Sequence, residues 1–128
     1  MTYPQLQRPI SFDQLVKELG ECCERAGIDF PYYVEIDPEL TAEHERNPRR
    51  YAAVTARADV PTFYFAEQTL LLPYPNRLGL YAHEIGHVLD PDPDKTEDGA
   101  DLQGMLALDV LIIYDHRWPG KGLQAAAW

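Results

Sequence analysis

The chain has 128 residues and a mass of 14.6 kDa, enough for one domain spanning 1–128 with a modest core. A hydrophobic fraction of 45% with 25% charged residues is that of a globular protein and excludes a low-complexity or disordered chain. The formal charge of -10 sets it against nucleic acid and anionic membrane surfaces, and no run approaches the roughly 20 apolar residues of a membrane span. Without an apolar leader behind a charged start, it reads as a cytoplasmic protein made without export.

Residues 11–26 place Phe12, Leu15, Val16, Leu19, Cys22, Cys23 and Ala26 on one side of a 3.6-residue spiral, which predicts an amphipathic helix. Ser11 with Gln14 forms a capping box, Ile10 and Leu15 a staple around it, and Gly27 a stop. Cys22 and Cys23 are adjacent, so they close no useful loop; they read as small apolar fillers. PYYVEID is a short β-type run. The polar stretch TAEHERNPRR reads as a loop, with His44 facing solvent. Strands are expected near 51–58, 61–65 and 69–72, a small antiparallel sheet with a turn at Ala66 to Gln68.

Asn76 is placed as the N-cap of a helix over RLGLYAHEIGHVL, which Pro91 prevents from continuing. A second helix opens at Asp94 or Thr96 and runs through EDGADLQGMLALDVLIIY, apolar on most sides and so buried. The tail, with Pro119, Gly120 and Gly122, reads as irregular. The fold class that follows is α+β: an N-terminal helix and short antiparallel sheet packed on a helix pair.

The chemistry concentrates in YAHEIGHVLD. On a helix, His83 and His87 lie one turn apart, within roughly 40° of each other, so both rings can reach one ion. Glu84 flanks them, too far round to be the natural third ligand but able to touch a water beside the ion. A plain surface helix also shows two histidines opposite an apolar stripe, and HExxH arises by chance in roughly one in a hundred such chains. The third ligand therefore carries the decision, because a catalytic zinc needs three protein ligands and one open position. Glu97 and Asp101 sit one turn apart at the start of a helix that otherwise turns apolar, where an unpartnered acid is costly. A short turn over 90–95 would lay the two helices antiparallel, bringing Glu97 beside His87 as a ligand and Asp101 beside His83 as acceptor of its spare ring N–H.

HEIGH followed by EDGADLQG resembles the gluzincin zinc metallopeptidases, in particular the HExxH and ExxAD pair of the neprilysin type, and ImmA/IrrE-type peptidases are a related possibility. The likeness covers about residues 61–112 and implies a small zincin-like domain. By it the metal ligands are His83, His87 and Glu97, with Asp101 or Asp94 as substitute carboxylates, and Glu84 is the catalytic base. The activity implied is hydrolysis of peptide or protein substrates, as an endopeptidase rather than an exopeptidase, with Zn2+ as cofactor. Glu84 would take a proton from the attacking water and hand it to the leaving amine. Residues 61–65 are the expected edge strand for an extended peptide, and Tyr114 or His116 are candidates for an oxyanion donor. A zinc-stabilised binding or regulatory module that cleaves nothing is the alternative. Calcium is disfavoured at 90–101, because Lys95 and Asp101 occupy the loop positions where an EF-hand needs Gly and Glu.

Overall fold

A computed structural model of the protein describes residues 9–48, 50–91, 97–115 and 122–127, the last six and 113–115 by their backbone alone. Helix α1, Phe12–Arg25, begins where expected: the Ser11 hydroxyl accepts the Gln14 N–H at 3.1 Å. The reciprocal half of the box does not form, because the Gln14 amide reaches forward to Glu18 instead. Gly27 ends the helix at φ +78, a conformation that residues with a Cβ rarely adopt.

Strand β1, Tyr33–Ile36, leads into a short helix α2, Pro38–Glu43, which takes in the first three residues of the loop expected over 41–50. Asp37 makes that helix possible by capping the Glu39 N–H at 3.2 Å with Pro38 at the first helical position. Strands β2, Ala52–Val54, and β3, Thr62–Phe65, follow. The sheet order is β1-β3-β2, with β1 parallel and β2 antiparallel to β3. The sheet is therefore mixed rather than antiparallel, and residues 61–65, expected at an edge, hold the centre. The third expected strand is absent: Glu67–Leu71 is a 3-10 helix, held in part by the Thr69 hydroxyl on the Tyr51 carbonyl.

Helix α3, Tyr74–Leu89, starts at Pro73 and not at Asn76, which lies buried inside its first turn. Helix α4, Glu97–Leu108, is shorter than expected. Asp109 turns the chain at φ 54, and Val110–Asp115 is strand β4, paired antiparallel with β5, Gly122–Ala127, in the tail expected to be irregular. The expected helix starts at Asp94 and Thr96 lie outside the described residues.

Alternation on the sheet places Val34, Ile36, Ala52, Val54, Phe63 and Phe65 on one face, against Leu15, Leu19, Cys22 and Cys23 of α1 and Tyr81 and Ile85 of α3. Phe65 meets the Tyr81 ring edge-on at 5.8 Å. Both cysteines are buried thiols, which burial pushes up to about 12 for Cys22 and about 11 for Cys23, so they stay protonated packing groups. No helix among the described residues is long and apolar enough to cross a membrane.

Two glycines set how closely α3 and α4 pack. A Cβ on Gly86 would run into the Ala100 carbonyl, and one on Gly104 into that of Ala82. The pairing of 86 with 100 and of 82 with 104 runs in opposite directions along the two helices, so they are antiparallel, backbone against backbone, as the site requires.

Candidate metal centre

That close crossing lies beside the histidines. On α3, His83 and His87 form a stripe flanked on one side by Ala82 and Gly86, the contact with α4, and on the other by Leu80 and Glu84. Leu80 packs with Tyr51 and Leu72 in a small buried cluster. The stripe thus lies between α4 on one side and, through Leu80, the start of β2 on the other.

Glu97 reaches both rings from the α4 side: Oε2 lies 2.6 Å from His83 Nε2, and Oε1 lies 3.3 Å from His87 Nε2. Asp101, one turn further on, holds His83 Nδ1 at 2.6 Å. The rings of His83 and His87 are 4.8 Å apart and nearly perpendicular. All five residues picked out in the sequence are therefore drawn together, with one change: Glu97 spans both histidines rather than sitting beside His87 alone. Of the substitute ligands, Asp101 is engaged at Nδ1, on the opposite side of the ring from Nε2, and Asp94 lies outside the described residues.

Burial works against a charge on His83, but the Asp101 bond and the negative charges of Glu84, Asp101 and Glu97 outweigh it, holding the imidazole up at about 9. Glu84 is buried, and its Oε2 has no hydrogen-bond partner. Burial lifts its carboxyl to about 7; the charge of His83 opposes the rise, that of Glu97 adds to it, and the charge of Arg50 opposes it. The ring and carboxylate atoms of His83, Glu84 and His87 lie within 4.8 Å of one another, a group that can hold a metal ion.

The donor set fits such an ion. Two imidazoles with a carboxylate make a mixed nitrogen and oxygen environment suited to a borderline divalent cation. Ligand atoms at about 2.0–2.2 Å around a tetrahedral centre sit roughly 3.3 Å apart, which the Glu97–His87 separation matches. The shorter Glu97–His83 contact is that of an ion pair. Three carboxylates facing two imidazoles leave negative charge in excess, and an unpartnered buried oxygen adds to the need for a cation or polar ligand.

His44, expected in solvent, is half-buried at the end of α2, its ring 4.5 Å from that of Tyr51 and its Nδ1 without a partner. The side chain of Tyr114 and all of His116 fall outside what is described. Arg50 and Tyr51 lie far from the motif, and no spacing pattern links them to it.

Comparison of the chain with protein-family models, curated proteins and solved structures finds no match. The functional reading therefore rests on the site itself.

Proposed function

We propose that the chain is a minimal zinc-dependent peptidase of the gluzincin type, acting in the cytoplasm. The observation that carries the reading is the pairing of a cation-binding geometry with a separate buried carboxylate. Glu97 faces the Nε2 atoms of both His83 and His87, while Glu84 stands beside them with an oxygen that no protein group satisfies.

In this reading His83, His87 and Glu97 would hold a zinc ion, which when bound would supply a water of lowered pKa and polarise a substrate carbonyl. Asp101 would accept a hydrogen bond from the His83 Nδ1–H and so leave the Nε2 lone pair available as a ligand. Glu84 takes a proton from the attacking water on its unpartnered oxygen and delivers it to the leaving amine, so that one carboxylate serves as base and then as acid. A peptide is best accommodated extended along β2, the sheet edge that packs on α3, in place of the central strand β3.

One observation favours a second reading. The Glu84 carboxylate lies as near the two imidazoles as a ligand does. Were Glu84 itself the third ligand, no base would remain, and the protein would be a metal-stabilised binding module.

Elemental analysis of Glu84→Gln, His83→Ala and Glu97→Ala separates the two. A peptidase keeps full zinc occupancy in Glu84→Gln while losing peptide cleavage, and loses zinc in the other two. Loss of zinc from Glu84→Gln with retention in Glu97→Ala establishes the binding module instead.

A further inference from the structure

A second concavity opens at residues that take no part in the metal centre. It is a cavity of about 270 Å3, lined by Pro9, Leu70 and Leu71 together with Glu67 and Gln68. Three of its five lining residues are apolar, and Leu71 is left 45% exposed. The cavity is thus open to a ligand from solvent.

Its walls are fixed from two directions. The Ile10 N–H reaches the Leu70 carbonyl at 3.0 Å, which ties the segment carrying Pro9 to the 3-10 helix Glu67–Leu71. From α2, Thr41 holds the same helix twice: its hydroxyl accepts the Glu67 N–H at 2.9 Å, and its carbonyl accepts a bond from Gln68 Nε2 at 3.1 Å. A site assembled this way needs little ordering when something binds.

These bonds also set the charge of the ligand. Pro9 has no N–H, and the Glu67 N–H and the Gln68 amide nitrogen are already given to Thr41, so an anion finds few donors here. The one charge in the lining is the exposed Glu67 carboxylate, and no ion pair among the described residues engages it. The net charge of -10 favours a cation at longer range and sets a second copy of this chain against the first. An occupant that suits both the apolar walls and the carboxylate is an aliphatic stem ending in a cation. Lysine has that form: its four-carbon stem lies along apolar surface while the ammonium stays at the water's edge.

We propose that this cavity docks a lysine side chain presented by an exposed peptide segment of a partner protein, with the stem on Pro9, Leu70 and Leu71 and the ammonium on Glu67. The site is independent of what the metal centre does, and its test needs no catalysis.

The full chain is titrated with end-blocked hexapeptides that differ only in one central residue, lysine, norleucine or glutamine, in a glycine and serine background, and binding is followed by amide-resolved NMR. The lysine peptide should shift the amides of residues 67–71 and bind about threefold tighter than the norleucine peptide, which keeps the stem without the charge. Added salt should narrow that difference. Glu67→Gln should abolish it and Glu67→Asp should keep part of it, whereas Leu71→Ser should weaken the lysine and norleucine peptides alike, all at the parent melting temperature. Norleucine binding as tightly as lysine, a lysine preference that survives Glu67→Gln, or shifts confined to other parts of the chain would overturn the proposal. So would shifts of residues 67–71 that follow protein concentration without peptide, since a second copy would then fill the cavity.

Discussion

Helix α3 carries two charged clusters, one closed off from water and one open to it at Glu97, and the contrast between them is instructive. Toward its start, Arg77 donates from Nε and Nη2 to the two oxygens of Glu18 at 2.9 and 2.7 Å, and Tyr81 donates to the same carboxylate at 2.7 Å. The remaining Arg77 nitrogen, Nη1, meets the Leu72 carbonyl at 2.6 Å, and the Tyr74 ring lies 5.5 Å away. Charge is balanced there and both carboxylate oxygens are occupied. Toward its end, three carboxylates crowd two imidazoles, and Glu84 keeps one oxygen without a partner. A closed network of that first kind clamps α1 to α3. An open one of the second kind keeps an acceptor free for a further partner.

The largest effect expected from this difference is at the closed cluster. Glu18→Leu leaves the Arg77 guanidinium buried without its counter-ion and should lower stability by about 3–5 kcal/mol in chemical denaturation. The double replacement Glu18→Leu with Arg77→Met should recover most of that loss, since an apolar pair of similar volume can replace a buried ion pair. A double variant as unstable as the single one would mean that the cluster does more than clamp two helices.

Next in size is the contact between α3 and α4. Gly86→Ala drives a methyl group into the Ala100 backbone, which can yield only if the helices part. Overpacking of this kind costs about 1–3 kcal/mol. Because Gly86 lies between His83 and His87, and Ala100 between Glu97 and Asp101, the same displacement should, on the proposed zinc reading, weaken zinc binding in competition with a chromogenic chelator. Destabilisation with unchanged zinc affinity would show that Glu97 reaches the histidines whatever the helix spacing.

The open cluster was far more legible in the sequence than the closed one, for a physical reason. Side chains that meet between two helices follow a local rule: His83 to His87 and Glu97 to Asp101 are both spacings of four, one turn on one face. The Glu18–Arg77 pair spans 59 residues, and nothing local distinguishes Glu18 from the solvated acids of the same helix. The fold divides in the same way. Helix α1, with its amphipathic stripe, cap and stop glycine, is readable from its own residues. The parallel pairing of β1 with β3 depends on a connection through α2 and β2. The run VLIIYD has no period to tell a buried strand from a continuing helix, and only its β-branched content and the Asp109 turn mark the change.

A smaller effect appears on acidification. Burial disfavours the charged form of Glu18, but the hydrogen bonds from Arg77 and Tyr81 and the charge of Arg77 outweigh it, so its folded pKa lies below the ordinary 4.5. Its stabilisation is therefore fully present above 4.5 and is lost as pH falls through the folded value. Denaturation midpoints followed downward from pH 6 should show the parent declining more steeply than the Glu18→Leu, Arg77→Met double variant. Parallel decline of the two would mean that Glu18 is not held ionised by its partners.

The smallest expected effect is the most informative. In metal-free protein, Glu84→Gln should leave the melting temperature at neutral pH unchanged or slightly higher, because it removes a buried carboxyl whose Oε2 has no partner and whose charged form is opposed by burial and by Glu97 and Asp101. The same change at Glu18 withdraws an acceptor of charged hydrogen bonds from Arg77 and Tyr81 and should destabilise clearly. Two carboxylates on neighbouring helices, equally hidden from water, would then respond oppositely to the loss of one charge. A residue that the folded protein holds at no benefit to its own stability is there for what it does to a ligand. Equal destabilisation by the two amides would place Glu84 among the groups that hold the fold together and remove its claim to chemistry.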